Sequence, residues 1–309
     1  MLITSICSFF ISALILYSFQ KVFIIYDKTD LINERSSHKV LATRTGGISV
    51  YITILSISIF YYLFEIDLFD YSIFIPLSII FLIGAYDDFY NADFKIKFLF
   101  QIVVAKILID QGYVISNFHG FLGLYEVPWL IAQLTTVFVY LIIVNSYNFI
   151  DGIDTLAITD FIKVVLILEL IFSFDTDLTI FSSLIVSSLL PLFYFNLKSN
   201  QKIFLGDSGS LFLGSIVAVY IFNLLGSNQI LKAPFDLNKT VLAILLLLYP
   251  LVDLFRVFVI RIYNGNSPFY PDQNHLHHFL HKRGVSAYIN VIIIEIISII
   301  PLIFAIIFF

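Results

Sequence analysis

The chain has 309 residues, of which 60% are hydrophobic and 13% are charged, and its formal net charge is −5. Soluble domains usually carry about 25% charged residues, so the composition excludes an ordinary globular protein. A membrane β-barrel is excluded as well, because its strands alternate polar and apolar residues and runs such as 241–249 and 291–309 do not. One cysteine, Cys7, excludes an intramolecular disulfide. The sequence therefore predicts an all-α, polytopic integral membrane protein.

Ten apolar stretches, each near the roughly 20 residues that a membrane-spanning helix needs, follow one another along the chain. We expect transmembrane helices near 1–26, 47–66, 71–86, 96–110, 128–149, 155–174, 179–196, 208–226, 240–260 and 287–308. The first stretch has no charge before Lys21 and no cleavage site, which favours a retained helix over a signal peptide. We expect a single membrane-embedded domain over 1–309.

Lysine and arginine are unevenly distributed over the connections between these stretches. Eleven of them lie in the connections 27–46, 87–97, 197–207 and 261–286, whereas the opposite connections hold only two, at 232 and 239. Basic connections are typically cytoplasmic. We therefore expect this side to face the cytoplasm and both termini to lie outside.

Polar clusters that could carry chemistry fall on this basic side. Their members are Asp87, Asp88, Asn145, Asn148, Asp151, Asp154, Asp207, His275, His277 and His278. A protein that only sat in a membrane would not need carboxylates and imidazoles concentrated on one face. We therefore expect an active site there, for a substrate that is phosphorylated and metal-bound.

Asp87 and Asp88 directly follow the third apolar stretch. A solvated helix end is one explanation, but acidic side chains at a helix C-terminus oppose the helix dipole, so helix stability does not account for them. Two adjacent carboxylates can share a metal ion or raise one another's pKa, which prepares a general base.

Asn145, Asn148 and Asp151 recur every three residues, a spacing that drifts by roughly 60° per step on a helix, so the three share one face. Gly152 then allows the backbone to turn before Asp154. The set exceeds what a helix cap needs, and its amide and carboxylate groups can pair with a base edge or with ribose hydroxyls. It predicts part of a nucleotide pocket.

The stretch 206–210, Gly-Asp-Ser-Gly-Ser, opens the eighth helix. Backbone N–H groups at a helix N-terminus bind phosphate well, and Asp207 could hold Mg²⁺, which usually takes one or two protein carboxylates. The alternative is a simple helix cap with glycines for close packing.

The three clustered histidines lie in the longest connection of the basic side. His277 and His281 have the four-residue spacing of zinc-binding helical histidines, but zinc would need histidines and carboxylates alone. We favour contact with a diphosphate, with Arg261 and Arg283 close in sequence to stabilise the charge that develops during its cleavage.

Charged residues inside apolar stretches are costly and often functional. Lys106 and Lys163 lie close enough to helix ends to extend their ammonium groups to the interface. Asp253 and Arg256 are three residues apart and are expected to pair with each other or with groups in the bundle. His119 lies alone in a loop and is expected to be an interfacial or hydrogen-bonded residue.

Taken together, these motifs resemble those of the polyprenyl-phosphate N-acetylhexosamine-1-phosphate transferase family, glycosyltransferase family 4. The resemblance covers about residues 27–286, and its motifs occur in family order. They are the aspartate pair, Lys97-x-x-x-Gln101, Asn-x-x-Asn-x-x-Asp-Gly-x-Asp, Gly206-Asp207 and His-x-His-His. The last motif is similar to that of the undecaprenyl-phosphate GlcNAc-1-phosphate transferase branch, because the phospho-MurNAc-pentapeptide branch tends to carry three consecutive histidines.

The resemblance implies a role for each matching residue. The catalytic residues would be Asp87, Asp88, Asp207, His275, His277 and His278. The residues that bind the nucleotide sugar would be Lys39, Asn145, Asn148, Asp151, Asp154, Phe204 and Arg261. Within these sets Asp87 is a candidate base, Asp207 a ligand of Mg²⁺ (Mn²⁺ being an alternative), and Phe204 a stacking partner of uracil.

The implied reaction moves a sugar 1-phosphate, GlcNAc or a derivative, from a UDP-N-acetylhexosamine to undecaprenyl phosphate, and releases UMP. It would be the first membrane step of a cell-surface polysaccharide such as lipopolysaccharide. The resemblance further implies a multi-pass protein of the bacterial inner membrane with a cytoplasmic active site, contact with membrane lipid, no nucleic acid, and scope for a homodimer. Direct displacement and an aspartyl intermediate both stay open.

Some positions depart from the family pattern, including Thr155 where glycine is usual and Gln273 where arginine is common. The aspartate set is intact, so we expect an active enzyme rather than an inactive scaffold. The rival class is a transporter for an anionic or phosphorylated solute. Transporters place ionisable residues near the bilayer midplane, whereas these acids lie at helix ends, which favours interfacial chemistry.

Overall fold

The chain is mostly helical in the computed structural model. The structure describes residues 1–30, 41–172, 174, 176–197, 201–226, 231–267, 275–276, 279–280 and 283–308. Its α-helices are α1 (Leu2–Ile25), α2 (Gly46–Leu63), α3 (Phe74–Tyr90), α4 (Phe94–Asp110), α5 (Trp129–Ile150), α6 (Leu156–Ile171), α7 (Thr176–Leu197), α8 (Gly206–Gly226), α9 (Lys239–Leu246), α10 (Leu248–Tyr263) and α11 (Ala287–Phe308). The described non-α elements are the strands β1 (Leu41–Thr43) and β2 (Gln201–Ile203) and the 3₁₀ turns Tyr71–Ile73 and Phe121–Gly123.

Every apolar stretch predicted from the sequence contains a helix. Among the described residues, seven helices are long and apolar enough to cross a membrane, and the bent pair α9–α10 makes an eighth if it counts as one span. Helices α4, with 17 residues, and α6, with 16, are shorter. The structure confirms a helical chain with several candidate membrane spans, while the number of ten spans stays a prediction.

The predicted helix 240–260 is broken, because α9 and α10 meet at Leu247 with a bend of 67°. Pro250 lies four residues after Leu246, the last residue of α9. A proline inside a helix lacks an N–H donor, and its ring clashes with the carbonyl four residues earlier. Pro250 therefore cannot donate to the carbonyl of Leu246, a bond that would continue α9 into α10.

One compact unit of the chain consists of Met1–Ala92 and Phe174–Phe212. In this unit α1 packs along α7 through small polar side chains. The hydroxyl of Ser8 donates to the carbonyl of Leu184 at 2.8 Å, and that of Ser12 makes the same kind of bond one turn later at 2.6 Å. Small residues let two helix backbones approach closely, which is how helices associate in lipid.

The other compact unit consists of Asp93–Ser173 and Leu213–Phe309. Here α5 packs on α4 and α10, and α6 packs on α11. A Cβ added to Gly214 of α8 would lie 3.0 Å from the Cα of Val144 on α5. The helix that carries Asn145 therefore lies directly against this part of α8.

Candidate active site

The start of α8 is anchored to the start of α2 by backbone hydrogen bonds. After β1 and β2 pair in parallel, the N–H of Phe204 donates to the carbonyl of Thr43 at 2.8 Å. The N–H of Gly46 donates to the carbonyl of Phe204 at 2.9 Å, and that of Gly47 to the carbonyl of Leu205 at 2.8 Å. These bonds satisfy the first amides of α2 and fix the backbone that leads into α8.

Glycines let three backbones meet at this point. A Cβ added to Gly47 would lie 2.2 Å from the amide nitrogen of Gly209, and one added to Gly84 would lie 2.5 Å from the carbonyl oxygen of Asp207. Neither distance is one that a real Cβ atom tolerates. Helices α2 and α3 therefore contact the first turn of α8 backbone to backbone.

Asp88 caps the N-terminus of α8. Its Oδ1 accepts from the N–H of Asp207 and its Oδ2 from the N–H of Ser208, both at 2.9 Å, and its side chain is 1% exposed. A carboxylate in this position satisfies unpaired amides and meets the positive end of the helix dipole.

This cap corrects two expectations. Asp88 does stabilise a helix, namely α8 rather than its own helix α3. The amide groups of Asp207 and Ser208, which the sequence suggested for phosphate, are occupied by this carboxylate. Asp88 lies 119 and 120 positions from the two amides that it accepts from, and the sequence gave no sign that they meet.

Arg44 brings positive charge to the same cluster. Its Nη2 lies 2.7 Å from Oδ1 of Asp30, and its Nη1 lies 3.9 Å from Oδ1 of Asp88. Burial lowers the pKa of the guanidinium, but the charges of Asp30, Asp88 and Asp207 together raise this pKa above its ordinary value. Arg44 and Asp88 line a cavity of about 490 Å³, so a charged guanidinium is available at its wall.

Asp87 is used differently from its neighbour. Its Oδ1 accepts from the N–H of Ala92 at 2.6 Å, which closes the turn that follows α3. The two sequence neighbours thus differ in these bonds: Asp87 accepts from the turn after α3, and Asp88 accepts from two amides of α8.

The first turn of α8 suits a cation that needs few protein ligands. Mg²⁺ commonly takes one or two carboxylates and completes its shell with water and substrate phosphate. Asp207 lies in this turn and is partly exposed, and its own amide is bonded to Asp88. Within the described part of the chain, no three His, Cys, Asp or Glu side chains gather as a metal site. Asp207 is thus the candidate ligand on donor chemistry.

Asn145 on α5 is oriented by Gln101 on α4. The Nδ2 of Asn145 donates to Oε1 of Gln101 at 2.8 Å and to the carbonyl of Leu141 at 2.7 Å, and Gln101 is buried. Asn148 follows on the same helix, which ends at Ile150 with Asp151 as its C-cap. The glutamine of the Lys-x-x-x-Gln motif therefore positions the first asparagine of the next motif.

The turn between α5 and α6 has its left-handed residue at Thr155. This N-cap of α6 has φ 65° and ψ −8°, whereas Gly152 does not have a positive φ. Gly152 does lie in this turn, as expected, but the left-handed residue of the turn is Thr155. A β-branched residue is strained in this region, which gives a physical reason for the glycine that is usual at this position.

His275 is held by Asp253 on α10. Its Nδ1 lies 2.7 Å from Oδ2 of Asp253, and the N–H of Leu276 donates to Oδ1 at 2.8 Å. Arg256, the partner expected from the spacing, donates to the same Oδ1 at 2.9 Å. Asp253 and His275 are both buried, so the acid on α10 connects its own helix to the histidine segment.

Phe149 joins Arg261 to this histidine. Its ring lies 5.3 Å from the ring of His275, edge to face, and the guanidinium of Arg261 lies 5.4 Å from the Phe149 centroid. The structure thus brings together two residues assigned from the sequence with one that was not singled out. Phe149 is one of 34 phenylalanines, and nothing in the sequence distinguished it from the others as a site residue.

A buried ionic cluster in the second unit was not predicted. Lys163 on α6 pairs with Asp160 and, at 3.0 Å, with Oε2 of Glu295 on α11, while the hydroxyl of Tyr147 donates to Asp160 at 2.6 Å. The Lys163 side chain is 9% exposed. The expectation that it extends to the interface is wrong, because two carboxylates accommodate it inside the bundle. Lys106, by contrast, has an exposed side chain.

The predicted site residues divide between the two units. In the first are Asp87, Asp88, Phe204 and Asp207, and in the second Asn145, Asn148, Asp151, Asp154, Arg261 and His275. Three further predicted residues lie outside the described residues: Lys39, His277 and His278. His281, half of the zinc alternative, lies outside them as well.

Known proteins have sequences similar to that of this chain. Residues 70–224 match the model of the glycosyl transferase family 4. The chain is 28% identical over 302 residues to the undecaprenyl-phosphate alpha-N-acetylglucosaminyl 1-phosphate transferase of Escherichia coli strain K12, covering 90% of this chain and 76% of that protein. It is 31% identical over 273 residues to a probable undecaprenyl-phosphate N-acetylglucosaminyl 1-phosphate transferase of Bacillus subtilis strain 168, covering 87% and 74%.

Proposed function

Because the chain belongs to glycosyl transferase family 4, we propose that it transfers an N-acetylhexosamine 1-phosphate, GlcNAc or a derivative, from a UDP-sugar to undecaprenyl phosphate. The products are undecaprenyl-diphosphate-sugar and UMP. The names of the relatives support the acceptor and the sugar. The observation that carries the proposal is the capped first turn of α8, where Asp207 lies beside Asp88 and within range of the Arg44 charge.

The reaction joins an oxygen of the lipid phosphate to the sugar-bearing phosphorus and breaks that phosphorus's bond to the oxygen of UMP. Asp88 acts as a positioning residue, since both of its oxygens hold the α8 amides. Asp87 is the member of the pair that we assign to deprotonating or orienting the acceptor. Arg44 offers a cation beside a cavity with room for a phosphate, and guanidinium–phosphate hydrogen bonds are strong.

Asp207 would hold Mg²⁺, with Mn²⁺ as an alternative. When bound, such an ion neutralises diphosphate charge and stabilises the leaving phosphate. The residues that we assign to the nucleotide sugar are Lys39, Asn145, Asn148, Asp151, Asp154, Phe204, Arg261, His275, His277 and His278. We place the reaction on the cytoplasmic face of a bacterial inner membrane, as the first membrane step of a cell-surface polysaccharide.

A transfer assay tests the proposal. Purified protein in lipid nanodiscs is given undecaprenyl phosphate, Mg²⁺ and one of a panel of UDP-sugars, and UMP and lipid-linked product are measured. We expect product from a UDP-N-acetylhexosamine, and a loss of at least about 100-fold in Asp207→Asn, as when one group that stabilises transition-state charge is removed. Metal-dependent product that survives in this variant contradicts the role of Asp207.

The variant is a fair test because an asparagine at this position is nearly isosteric with the aspartate, and the cap uses the backbone amide of residue 207. We therefore expect an unchanged thermal unfolding midpoint. A folded wild-type protein that makes no product from any sugar, but moves a phosphorylated solute across a vesicle membrane, would favour the transporter instead.

A further inference from the structure

We infer that Asp253 is a positioning residue, which holds His275 with Nδ1 protonated and directs its Nε2 to the UDP-sugar. The inference rests on the proposed function and adds a residue and an atom to it. Sequence spacing suggested that Asp253 pairs with Arg256 or with groups in the bundle. The contacts of its carboxylate indicate a further purpose.

The tautomer of His275 follows from the chemistry of its partner. An ionised carboxylate only accepts hydrogen bonds, so the 2.7 Å contact between Oδ2 of Asp253 and Nδ1 of His275 requires the proton on Nδ1. Any contact that the ring makes with a substrate must then use Nε2. Fixing one nitrogen to a carboxylate is a common way to set the role of the other.

Asp253 also fixes where the ring is. Its second oxygen accepts from the N–H of Leu276, the residue next to the histidine, at 2.8 Å. One carboxylate therefore holds both the side chain and the adjoining backbone, and at 1% exposure it does so away from water. A buried two-point contact of this kind restricts both the position and the rotation of the imidazole.

Phe149 connects this histidine to the helix of the asparagine motif. The Phe149 ring contacts His275 at 5.3 Å and Arg261 at 5.4 Å, and it follows Asn148 directly on α5. The imidazole and a guanidinium thus lie on one aromatic ring next to groups suited to a nucleotide. A nucleoside diphosphate sugar, with its phosphate oxygens and hydroxyls, is the ligand class that these groups recognise.

Arg256 provides a matched control. It donates to the same carboxylate at 2.9 Å, but its side chain is 36% exposed, whereas that of His275 is 7% exposed. Removing Arg256 leaves the bonds of Asp253 to His275 and Leu276 in place. A merely structural Asp253 would be disturbed by both substitutions, whereas an orienting one depends on its bond to the histidine.

The decisive experiment measures kcat and KM for both substrates in Asp253→Asn, His275→Ala, the double variant and Arg256→Gln. For Asp253→Asn we expect a 10- to 100-fold loss in kcat/KM for the UDP-sugar, the range known for partners that orient metal-ligating histidines. The KM for undecaprenyl phosphate should not change, and Arg256→Gln should stay within about twofold of wild type. In the His275→Ala background the Asp253→Asn change should add little, since contacting groups couple.

Fully additive losses, an equal loss in Arg256→Gln, or a shift confined to the lipid KM would overturn the inference. If Asp253→Asn does not fold, His275→Asn replaces it. Its amide can still donate to Asp253 but lacks an equivalent of Nε2, so it should fold and yet lose the same kcat/KM. Retained activity in that variant also overturns the role of Nε2.

A readout that is independent of catalysis separates this inference from the proposed function. Nitrogen-15 NMR of labelled histidine reports which ring nitrogen carries the proton, and we expect Nδ1–H in wild type, lost in Asp253→Asn. An inactive wild type with this tautomer would refute the transfer reaction but not the positioning. An active wild type with the proton on Nε2 would do the reverse.

Discussion

The two units of the chain accommodate buried carboxylates by different means. In the first, Asp88 is bonded to two backbone amides at the start of α8. In the second, Asp160 and Glu295 share the ammonium of Lys163. The first solution uses groups that every folded helix supplies, whereas the second depends on one long side chain. A side-chain substitution can therefore remove the partner of the carboxylates in the second unit but not the amides that bond Asp88 in the first.

This difference has an energetic side. Helix amides are fixed once the helix forms, so a carboxylate that meets them orders few additional groups. A buried lysine gives up about 1.5–2 kcal/mol of side-chain conformational freedom, and a buried ion pair must also offset the loss of hydration. We expect the second cluster to be the more sensitive of the two.

The largest effect is expected from Lys163→Met. The change leaves Asp160 and Glu295 buried without their cation, and removing one partner of a buried pair costs about 3–5 kcal/mol in soluble proteins. Because polar contacts in membranes are often weaker, we expect about 3 kcal/mol of lost stability, measured as the free energy of unfolding in mixed detergent. Lys106→Met, at an exposed ion pair, is the matched control and should cost under about 1 kcal/mol. Similar costs for the two lysines would contradict the comparison.

Asp88→Asn should have a smaller effect on stability. An asparagine keeps one oxygen for the amides of α8, but its NH₂ group would face the other N–H, and the charge at the positive end of the helix is lost. We expect a loss of about 2 kcal/mol in unfolding free energy. Asp87→Asn, which changes the group that accepts from the N–H of Ala92 but leaves the amides of Asp207 and Ser208 bonded to Asp88, should cost less. If Asp87→Asn proves the more damaging, Asp88 is not the cap that organises this end of α8.

Thr155→Gly tests a feature that both units contain, namely a residue with left-handed backbone conformation at the start of a helix. The first unit has Gly206 at φ 76° as the first residue of α8, and the second has Thr155 at φ 65° as the N-cap of α6. Relief of strain of about 1–3 kcal/mol should exceed the entropic cost of glycine, about 0.5–1 kcal/mol. We expect a net gain of about 1 kcal/mol, seen as a higher unfolding midpoint. A lower midpoint would show that the threonine side chain is needed there.

His119 shows a third way to accommodate an ionisable side chain away from water, in which the imidazole stays uncharged. Burial lowers the pKa of its imidazole from an ordinary value of 6.5, the carbonyl of Leu225 partly offsets this lowering, and the charge of Lys239 adds to it. The unfolded chain then takes up a proton first as the pH falls. Stability should be constant above about pH 6.5 and decrease below it, through the folded pKa.

The effect of His119 should be the smallest of the four, because the side chain is only partly buried. Unfolding midpoints at about pH 7.5 and about pH 5.5, on either side of the ordinary histidine pKa, measure it. His119→Gln should reduce the difference between the two midpoints. An unchanged difference would assign the pH dependence to other groups.

Helix positions were predictable because each apolar run was long and continuous, as with 1–26 and 287–308. The break at Leu247 had a signal in Pro250, but prolines at 191 and 301 lie inside unbroken helices. A proline alone therefore does not decide whether a helix breaks.

Candidate site residues could be proposed from the sequence, but their partners could not be predicted. Asp88, Asp207 and His275 were identified by type and spacing, yet Asp88 is bonded to amides 119 and 120 positions away. The pairing of Lys163 with Glu295 is equally remote along the chain. One sequence shows which groups are costly to bury, but not which distant group receives them, because that depends on how the helices pack.

The backbone contacts of Gly47 and Gly84 set a practical limit on redesign. Variants made to alter the sugar that is accepted should keep both glycines. A methyl group added at either position would collide with the turn of α8 that carries Asp207. Substitutions should instead be directed at side chains such as Phe149, whose ring contacts His275 and Arg261. Gly47 and Gly84 are therefore two positions whose side chain, a single hydrogen atom, cannot be enlarged without moving the first turn of α8.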